Sequence, residues 1–365
     1  MKTSTWAIVA MSVCLSAGCV RPAEERAERD RTVGSATSTE LDVHVVNGLA
    51  AVRKLESGHL TLWSSAPGWE LELDARSAGS VTLDVQNCIS DVELSPLEPD
   101  AQATLVTSEP STRKTWELEL PSGKSRFRFA TPDADDRSPW KFALMSDVQE
   151  AIDRVQDIYG RMNEEPDLRF LLGAGDLTRR GSKDELERFR DELESLRIPY
   201  YTTLGNHELG ARPALYQDYY GRASFQFVHR GVFFTLLDSA SATLDPLVYD
   251  WLDHWLARGR RSVHVVAMHI PPLDPTGVRN GAFASRNEAA ALLGQLAENG
   301  VDLTLYGHVH SYYEFDNAGI PAFISGGGGA IPERFDDMGR HFMVIEVGAD
   351  RGIVGTRVVR VGPND

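Results

Sequence analysis

The chain has 365 residues, a formal net charge of -16 and an apolar fraction of 42%. This length is enough for a large core and, once a leader is removed, for two domains. The acidic balance excludes protein classes that depend on clustered Lys and Arg, so we expect neither a nucleic-acid groove nor a polybasic membrane patch. An anionic substrate would need local cations such as metal ions. We expect a globular monomer.

Residues 1–19 have the pattern of an export signal. Lys2 provides a positive start, residues 6–15 are apolar, and small residues precede Cys19. The apolar run is too short to span a bilayer as a helix. The segment resembles a bacterial lipoprotein signal, which implies that lipid on Cys19 anchors the protein in the cell envelope and is its only membrane contact. Cleavage nearby, giving a periplasmic or secreted protein, is the alternative.

Residues 20–140 divide into three segments that differ in composition and apolar pattern. Residues 20–40 are charged and small, which predicts a flexible tether. Residues 41–131 carry short alternating apolar segments, which predict a small all-β sandwich domain with Cys88 in its core and a hairpin turn at residues 121–123. Residues 132–140 form a polar linker.

Residues 141–362 alternate between apolar strands and helical periods, which predicts an α/β domain of layered sheets flanked by helices. The strands that matter most are the runs at 141–145, 168–172, 200–203, 263–268 and 301–306.

Polar motifs follow all five of these strands directly. They are Ser146-Asp147-Val148-Gln149, Gly175-Asp176, Gly205-Asn206-His207-Glu208, His269-Ile270-Pro271-Pro272 and Gly307-His308-Val309-His310. Each alone could be a helix cap or a polar turn. Because ligand sites in α/β sheets form beyond the carboxyl ends of strands, we expect the motifs to converge. Divalent cations would neutralise that many carboxylates and imidazoles in one cleft.

The order of these motifs resembles the calcineurin-like metallophosphoesterase superfamily over about residues 141–361, and the preceding sandwich is similar to that of purple acid phosphatases. The resemblance implies two divalent metal ions (Mn, Fe or Zn) and a metal-bridged hydroxide that attacks the phosphorus of a phosphoester in line. The implied residues are Asp147, Gln149 and His310 for a first metal, Asn206, His269 and His308 for a second, Asp176 as the bridge, Asn206 also toward substrate, and His207 as proton donor.

Two positions depart from the family pattern. Gln149 stands where most relatives have His, so this ligand is weaker, favours oxygen-loving ions, or is lost. Arg179 stands where relatives have an orienting Asp or a metal-bound Tyr, so no purple colour is expected. His207 then needs another partner, either Glu208 or a backbone carbonyl. Arg180 matches a substrate-contacting arginine, with a solvated loop residue as the alternative.

These departures leave a second function open, a non-catalytic surface-binding lipoprotein with a degenerate metal site. The glycine-rich loop at residues 325–330 is also ambiguous. Its N–H groups could cradle phosphate, but a tight turn behind the sheet is favoured because the loop lacks the Lys of a nucleotide-binding motif.

Overall fold

A computed structural model describes residues 20–210, 212, 214–277, 281–333 and 337–362. The predicted export signal with Cys19 lies outside the described residues and stays a prediction. Within the described part of the chain, every helix is too short or too polar to cross a membrane.

The segment predicted to be a flexible tether is folded, so that prediction was wrong. Helix α1 spans Val20–Asp30, and strand β1 follows at Ser35–Thr37. Ala23 and Ala27 are buried, and so is the guanidinium of Arg26, which pairs with a carboxylate 212 residues further along the chain. The prediction failed because it treated every charged side chain of this segment as solvated.

Among the described residues, ten strands precede residue 131. They are β1, β2 (Leu41–Val45), β3 (Ala50–Glu56), β4 (His59–Ser64), β5 (Trp69–Ala75), β6 (Gly79–Gln86), β7 (Glu93–Pro96), β8 (Gln102–Thr107), β9 (Arg113–Leu120) and β10 (Gly123–Ala130). They make two five-stranded sheets, ordered β1-β2-β5-β10-β7 and β3-β4-β6-β9-β8. Side chains of both sheets share one core, in which the rings of Trp116 and Phe129 lie 5.5 Å apart. The hairpin predicted at residues 121–123 was wrong, because β9 and β10 belong to different sheets.

The C-terminal part alternates strands and helices. Its elements are β11 (Trp140–Met145), α2 (Gln156–Asn163), β12 (Leu168–Ala174), α3 (Lys183–Glu192), β13 (Tyr200–Thr203), α4 (Leu215–Tyr220), β14 (Phe225–His229), β15 (Val232–Leu237), α5 (Pro246–Gly259), β16 (His264–Met268), α6 (Arg286–Glu298), β17 (Leu303–Tyr306), β18 (Tyr312–Asn317), β19 (Ile320–Ser325), β20 (His341–Gly348) and β21 (Gly352–Arg360). One sheet has the order β13-β12-β11-β20-β21, and the other β14-β15-β16-β17-β19-β18.

Strand β11 shows how the layers are built. Phe142 and Leu144 point into the core between the two sheets, whereas Ala143 and Met145 point into a second core shared with α2 and α3. This is the two-residue alternation of a strand that is buried on both faces. Helices α5 and α6 cover the outer face of the other sheet. The predicted α/β layered fold is confirmed.

One contact ties the N-terminal sheets to the start of β13. The side chain of Asn87 donates to the carbonyls of Ser64 (2.8 Å) and Tyr200 (2.9 Å) and accepts from the N–H of Tyr200 (2.8 Å). Strand β13 carries the Asn206 and His207 motif at its other end, so the two parts of the molecule meet behind the predicted site.

Candidate metal centre

The five polar motifs meet at one edge of the C-terminal part. Strands β11, β12 and β13 run parallel in one sheet, and β16 and β17 run parallel in the other. Contacts from Asp147 to the N–H of His308 and from Asp176 to His269 bring the carboxyl ends of the two sets together. The structure brings together all the predicted ligand residues, which are Asp147, Gln149, Asp176, Asn206, His269, His308 and His310, with His207 at the rim.

Asp176 lies at the centre of the cluster. Two groups can each hold a cation, Asp176 with His269 and His308, and Asp147 with Asp176 and His310, and within each group the ligand atoms lie within 4.8 Å of one another. Asp176 is common to both groups. This is the position that a carboxylate bridging two metal ions would occupy.

Hydrogen bonds order the predicted second metal subsite, which consists of Asn206, His269 and His308 beside Asp176. His269 donates from Nδ1 to the carbonyl of Ala174 (2.7 Å), which turns Nε2 toward Asn206 Oδ1 (3.0 Å) and Asp176 Oδ1 (3.3 Å). His308 Nδ1 lies 3.3 Å from His269 Nε2. Burial opposes protonation of His269, yet the charge of Asp176 raises its pKa to about 9.

The predicted first metal subsite, which consists of Asp147, Gln149 and His310 beside Asp176, contains an unsatisfied oxygen. Asp147 Oδ2 accepts from the Ser146 hydroxyl and from the N–H of His308 (3.0 Å). Asp147 Oδ1 is buried and receives no hydrogen bond from the described residues, and it lies 3.4 Å from His310 Nε2. A buried carboxylate oxygen without a donor is costly unless a cation binds it, so the residues present fit a metal ion.

The backbone at the site is held in an uncommon conformation. Asp147, Gln149, Asp176 and His308 have positive φ angles of 63°, 48°, 54° and 71°. Each such non-glycine residue costs about 1–3 kcal/mol and persists only where the surroundings fix it, which occurs mostly at functional sites.

Two motif glycines allow the strand ends to approach one another. A Cβ at Gly205 would lie 2.1 Å from Asp176 Oδ1, and a Cβ at Gly307 would lie 2.9 Å from Asp147 Oδ2. Neither position can accept another side chain without displacing a ligand. The glycines therefore set the spacing of the carboxylates.

A backbone carbonyl orients His207. His207 Nδ1 lies 2.6 Å from the backbone carbonyl of Arg179, and its Nε2 lies 3.9 Å from Asp176 Oδ2. Glu208 does not reach His207, because its buried carboxylate accepts from the N–H of Gly205 (2.8 Å) and from the N–H and hydroxyl of Thr178 (both 2.9 Å). Burial and the charge of Asp176 raise the pKa of Glu208 to about 7.

Gln149 occupies its predicted place but presents its amide nitrogen. Gln149 Nε2 donates to Asp176 Oδ2 (2.8 Å) and lies 3.1 Å from His310 Nε2. The ring nitrogen accepts this bond, because His310 donates from Nδ1 to the carbonyl of Ile331 (2.7 Å). In this orientation Gln149 holds two ligand side chains together.

The remaining predicted residues lie at the edge or behind the site. Arg180 is exposed and its N–H donates to Glu185 Oε2 (2.8 Å), so its substrate contact stays a prediction. The glycine-rich loop lies behind the site as a tight turn: Gly328 donates to the carbonyl of Ser146 (2.8 Å) and Ala330 to that of Asp147 (2.9 Å). These N–H groups are not available to a phosphate.

Three backbone carbonyls that orient histidines were missed by sequence reasoning. They belong to Ala174, Arg179 and Ile331. A carbonyl is present at every residue, so no residue type in the sequence could have identified them.

Part of the chain is similar to known phosphoesterases. Residues 141–312 match the family model of the calcineurin-like phosphoesterases. A 3′,5′-cyclic-nucleotide phosphodiesterase of Nostoc sp. is 29% identical over 163 residues, which are 40% of this chain and 58% of that protein. A probable cyclic nucleotide phosphodiesterase of Synechococcus sp. is 29% identical over 181 residues, 47% of this chain and 68% of that protein. The solved structure of PhoD covers 81% of this chain and 87% of its own, with 13% identity and a TM-score of 0.49.

The family match and the five strand-end motifs agree in position and order. The match over residues 141–312 supports the calcineurin-like metallophosphoesterase superfamily for that part of the chain.

Proposed function

We propose that the protein is a dinuclear metal-dependent hydrolase of phosphoric esters. The observation that carries this proposal is the sharing of Asp176 by two separate ligand groups. The unsatisfied oxygen of Asp147 supports it, because that oxygen lies where a cation would replace the missing donor.

The residues that would hold the metals are those of the first and second metal subsites, with Asp176 between them. Two divalent ions bound there would activate a water molecule for attack on phosphorus and stabilise the charge that develops on the phosphate oxygens. With the carboxylates of Asp147 and Asp176 and one hydroxide counted, the loaded site would have a formal charge of about +1. This charge reverses the acidic background locally and attracts a phosphate.

We expect His207 to protonate the leaving group. Its Nδ1 is bound to the Arg179 carbonyl, which leaves Nε2 as the exchangeable nitrogen on the site side, and 32% of the side chain is exposed. A substrate on the Asp176 side would therefore meet a histidine that is already oriented. Asn206 Oδ1 lies 3.0 Å from His269 Nε2 and could bind a metal ion, while the amide NH₂ group could donate to a phosphate oxygen.

The substrate class that we propose comes from the names of the two relatives. Both curated relatives are named as cyclic nucleotide phosphodiesterases. We therefore propose 3′,5′-cyclic nucleotides as the first diester substrate to test, beside simple phosphomonoesters.

A substrate panel tests the proposed function. Wild-type protein reconstituted with Mn, Fe or Zn is assayed with p-nitrophenyl phosphate, its bis-ester and 3′,5′-cyclic AMP, with Asp176→Asn as the inactive control. We expect turnover by the wild type and its loss in the control. Absence of turnover with every ester and every metal would contradict the proposal.

A non-catalytic binding protein is the second candidate function. The observation that favours it is the orientation of Gln149, whose amide nitrogen rather than its oxygen faces Asp176 and His310. A chain that binds one ion or none at saturating metal, and turns over no ester, would select this candidate.

We also propose that the protein is exported and anchored through lipid on Cys19. Residues 1–19 carry the lipoprotein-type pattern on which this rests. Labelling with radioactive palmitate in a bacterial host tests it, with Cys19→Ala as the control. Label in the wild type and none in the variant is expected, and an unlabelled, freely soluble wild type would contradict it.

A further inference from the structure

We infer that helix α1 is a positioning element for the second metal subsite, acting through Arg26 and Asp30 on the loops that carry Asn206 and His269. This inference rests on the proposed function in one respect, the assignment of a metal ion to Asn206, His269 and His308. The helix lies outside the family match at residues 141–312.

The first connection runs from Arg26 to His269. The guanidinium of Arg26 is fully buried and donates to both oxygens of Asp238 (2.6 and 3.1 Å), the residue that follows β15. The next residue, Ser239, accepts from the N–H of Ile270 through its hydroxyl (2.8 Å). Ile270 directly follows His269. The ion pair between Arg26 and Asp238 therefore fixes the loop that holds the backbone next to His269.

The second connection runs from Asp30 to the strand that carries Asn206. The buried carboxylate of Asp30 accepts from the N–H groups of Ala223 (2.9 Å) and Ser224 (2.8 Å). The carbonyl of Ala223 in turn accepts from the hydroxyl of Thr203 (2.8 Å), the last residue of β13. Asn206 lies three residues beyond that hydroxyl.

The two connections are also joined to each other. The N–H of Asp238 donates to the hydroxyl of Ser224 (3.0 Å), and Gln217 donates to Asp30 Oδ1 (3.3 Å) and to the carbonyl of Arg26 (3.4 Å). A single helix thus contacts the segments before β14 and after β15, and these in turn contact the ends of β13 and β16, which belong to different sheets. Outer contacts that orient metal ligands typically change metal affinity by about 10–100-fold when they are removed.

Arg26→Met tests this inference in the full-length protein, because it keeps the length of the side chain and removes the clamp. The matched control is Arg230→Met, which removes a buried guanidinium bound to Asp133 (3.2 Å) and Asp136 (2.5 Å) at the opposite end of the β14 and β15 hairpin. Should Arg26→Met fail to fold, Arg26→Lys retains a charge but loses the two-point contact with Asp238.

Two readouts separate positioning from general stability. Amide hydrogen exchange, measured in metal-free protein, should become about tenfold faster or more at Ile270 and at residues 206–208 in the Arg26 variant, and not in the Arg230 variant. Titration with Mn²⁺ should show that the affinity of one of the two binding steps is lowered by about tenfold or more in the Arg26 variant alone, while the other step is unchanged.

The inference would be overturned if the amide of Ile270 exchanged at the same rate in both variants. It would also be overturned if the affinities of both Mn²⁺ binding steps fell to the same degree. The exchange result stands on its own if the wild type hydrolyses no ester, so failure of the proposed function is distinguishable from failure of this inference.

Discussion

The strongest structural prediction concerns Glu208, whose buried carboxylate supports the backbone of the site and does not orient His207. Glu208→Ala would leave the N–H groups of Gly205 and Thr178 buried without an acceptor, while the Thr178 hydroxyl can turn to another partner. Each unsatisfied buried donor costs about 1–3 kcal/mol, so we expect the free energy of unfolding to fall by about 2–6 kcal/mol.

Glu208→Gln separates the two roles proposed for this residue. Its amide oxygen can keep the two bonds to Thr178, but its NH₂ group then meets the N–H of Gly205, so a loss of about 1–3 kcal/mol is expected. His207 keeps its bond to the Arg179 carbonyl. The ratio of the rates for esters with good and poor leaving groups should therefore stay at its wild-type value.

Urea unfolding at pH 7 measures the stability changes, with exposed Glu194→Ala as a control expected to stay within about 0.5 kcal/mol of the wild type. A change of less than about 0.5 kcal/mol in Glu208→Ala would refute the supporting role. If the ratio of rates for esters with good and poor leaving groups changes in Glu208→Gln as much as in His207→Ala, Glu208 orients His207.

Three further predictions concern proton transfer, metal binding and acid stability. The His207→Ala variant should keep both metals. Its hydrolysis of esters with poor leaving groups should be about 10²–10⁴-fold slower, with a smaller effect on p-nitrophenyl esters. An equal loss of rate for both ester types in steady-state assays would refute the proton-donor role. Gln149→His should add a nitrogen ligand and raise the affinity of the first metal subsite for Zn²⁺ by about tenfold in a competition titration, and unchanged affinity would show that position 149 does not contact the metal. Burial lowers the pKa of His229 to about 3, with Arg169 adding to the effect, so the unfolded chain binds a proton below pH 6.5 that the native chain excludes. Stability should fall on acidification by about 1.4 kcal/mol per pH unit from this residue, and urea unfolding of His229→Phe at pH 7 and pH 5 should lack that contribution.

The sequence predicted those residues of the site whose side chains can bind metal or transfer protons and that follow a strand. The periodicity of the five apolar runs located the strands, and the parallel order of the strands then determined where Asp147, Asp176 and His269 would meet. What could not be predicted depends on backbone atoms. The carbonyl that holds His207 belongs to Arg179, a residue whose side chain gave no indication of that contact.

The N-terminal segment shows a second limit of sequence reasoning. Arg26 and Asp30 lie among exposed charged residues of similar type, and composition alone indicates a solvated segment. Their partners, Asp238 and the N–H groups of Ala223 and Ser224, lie about two hundred residues away, where no local pattern can reveal the pairing.

The metal content of the purified protein tests the central claim most directly. Equilibrium dialysis against Mn²⁺ or Zn²⁺, followed by elemental analysis, should give two ions per chain for the wild type and a loss of both for Asp176→Ala, because this carboxylate belongs to both ligand groups. A wild type that binds fewer than two ions at saturation, or an Asp176→Ala variant that keeps both, would contradict the dinuclear site.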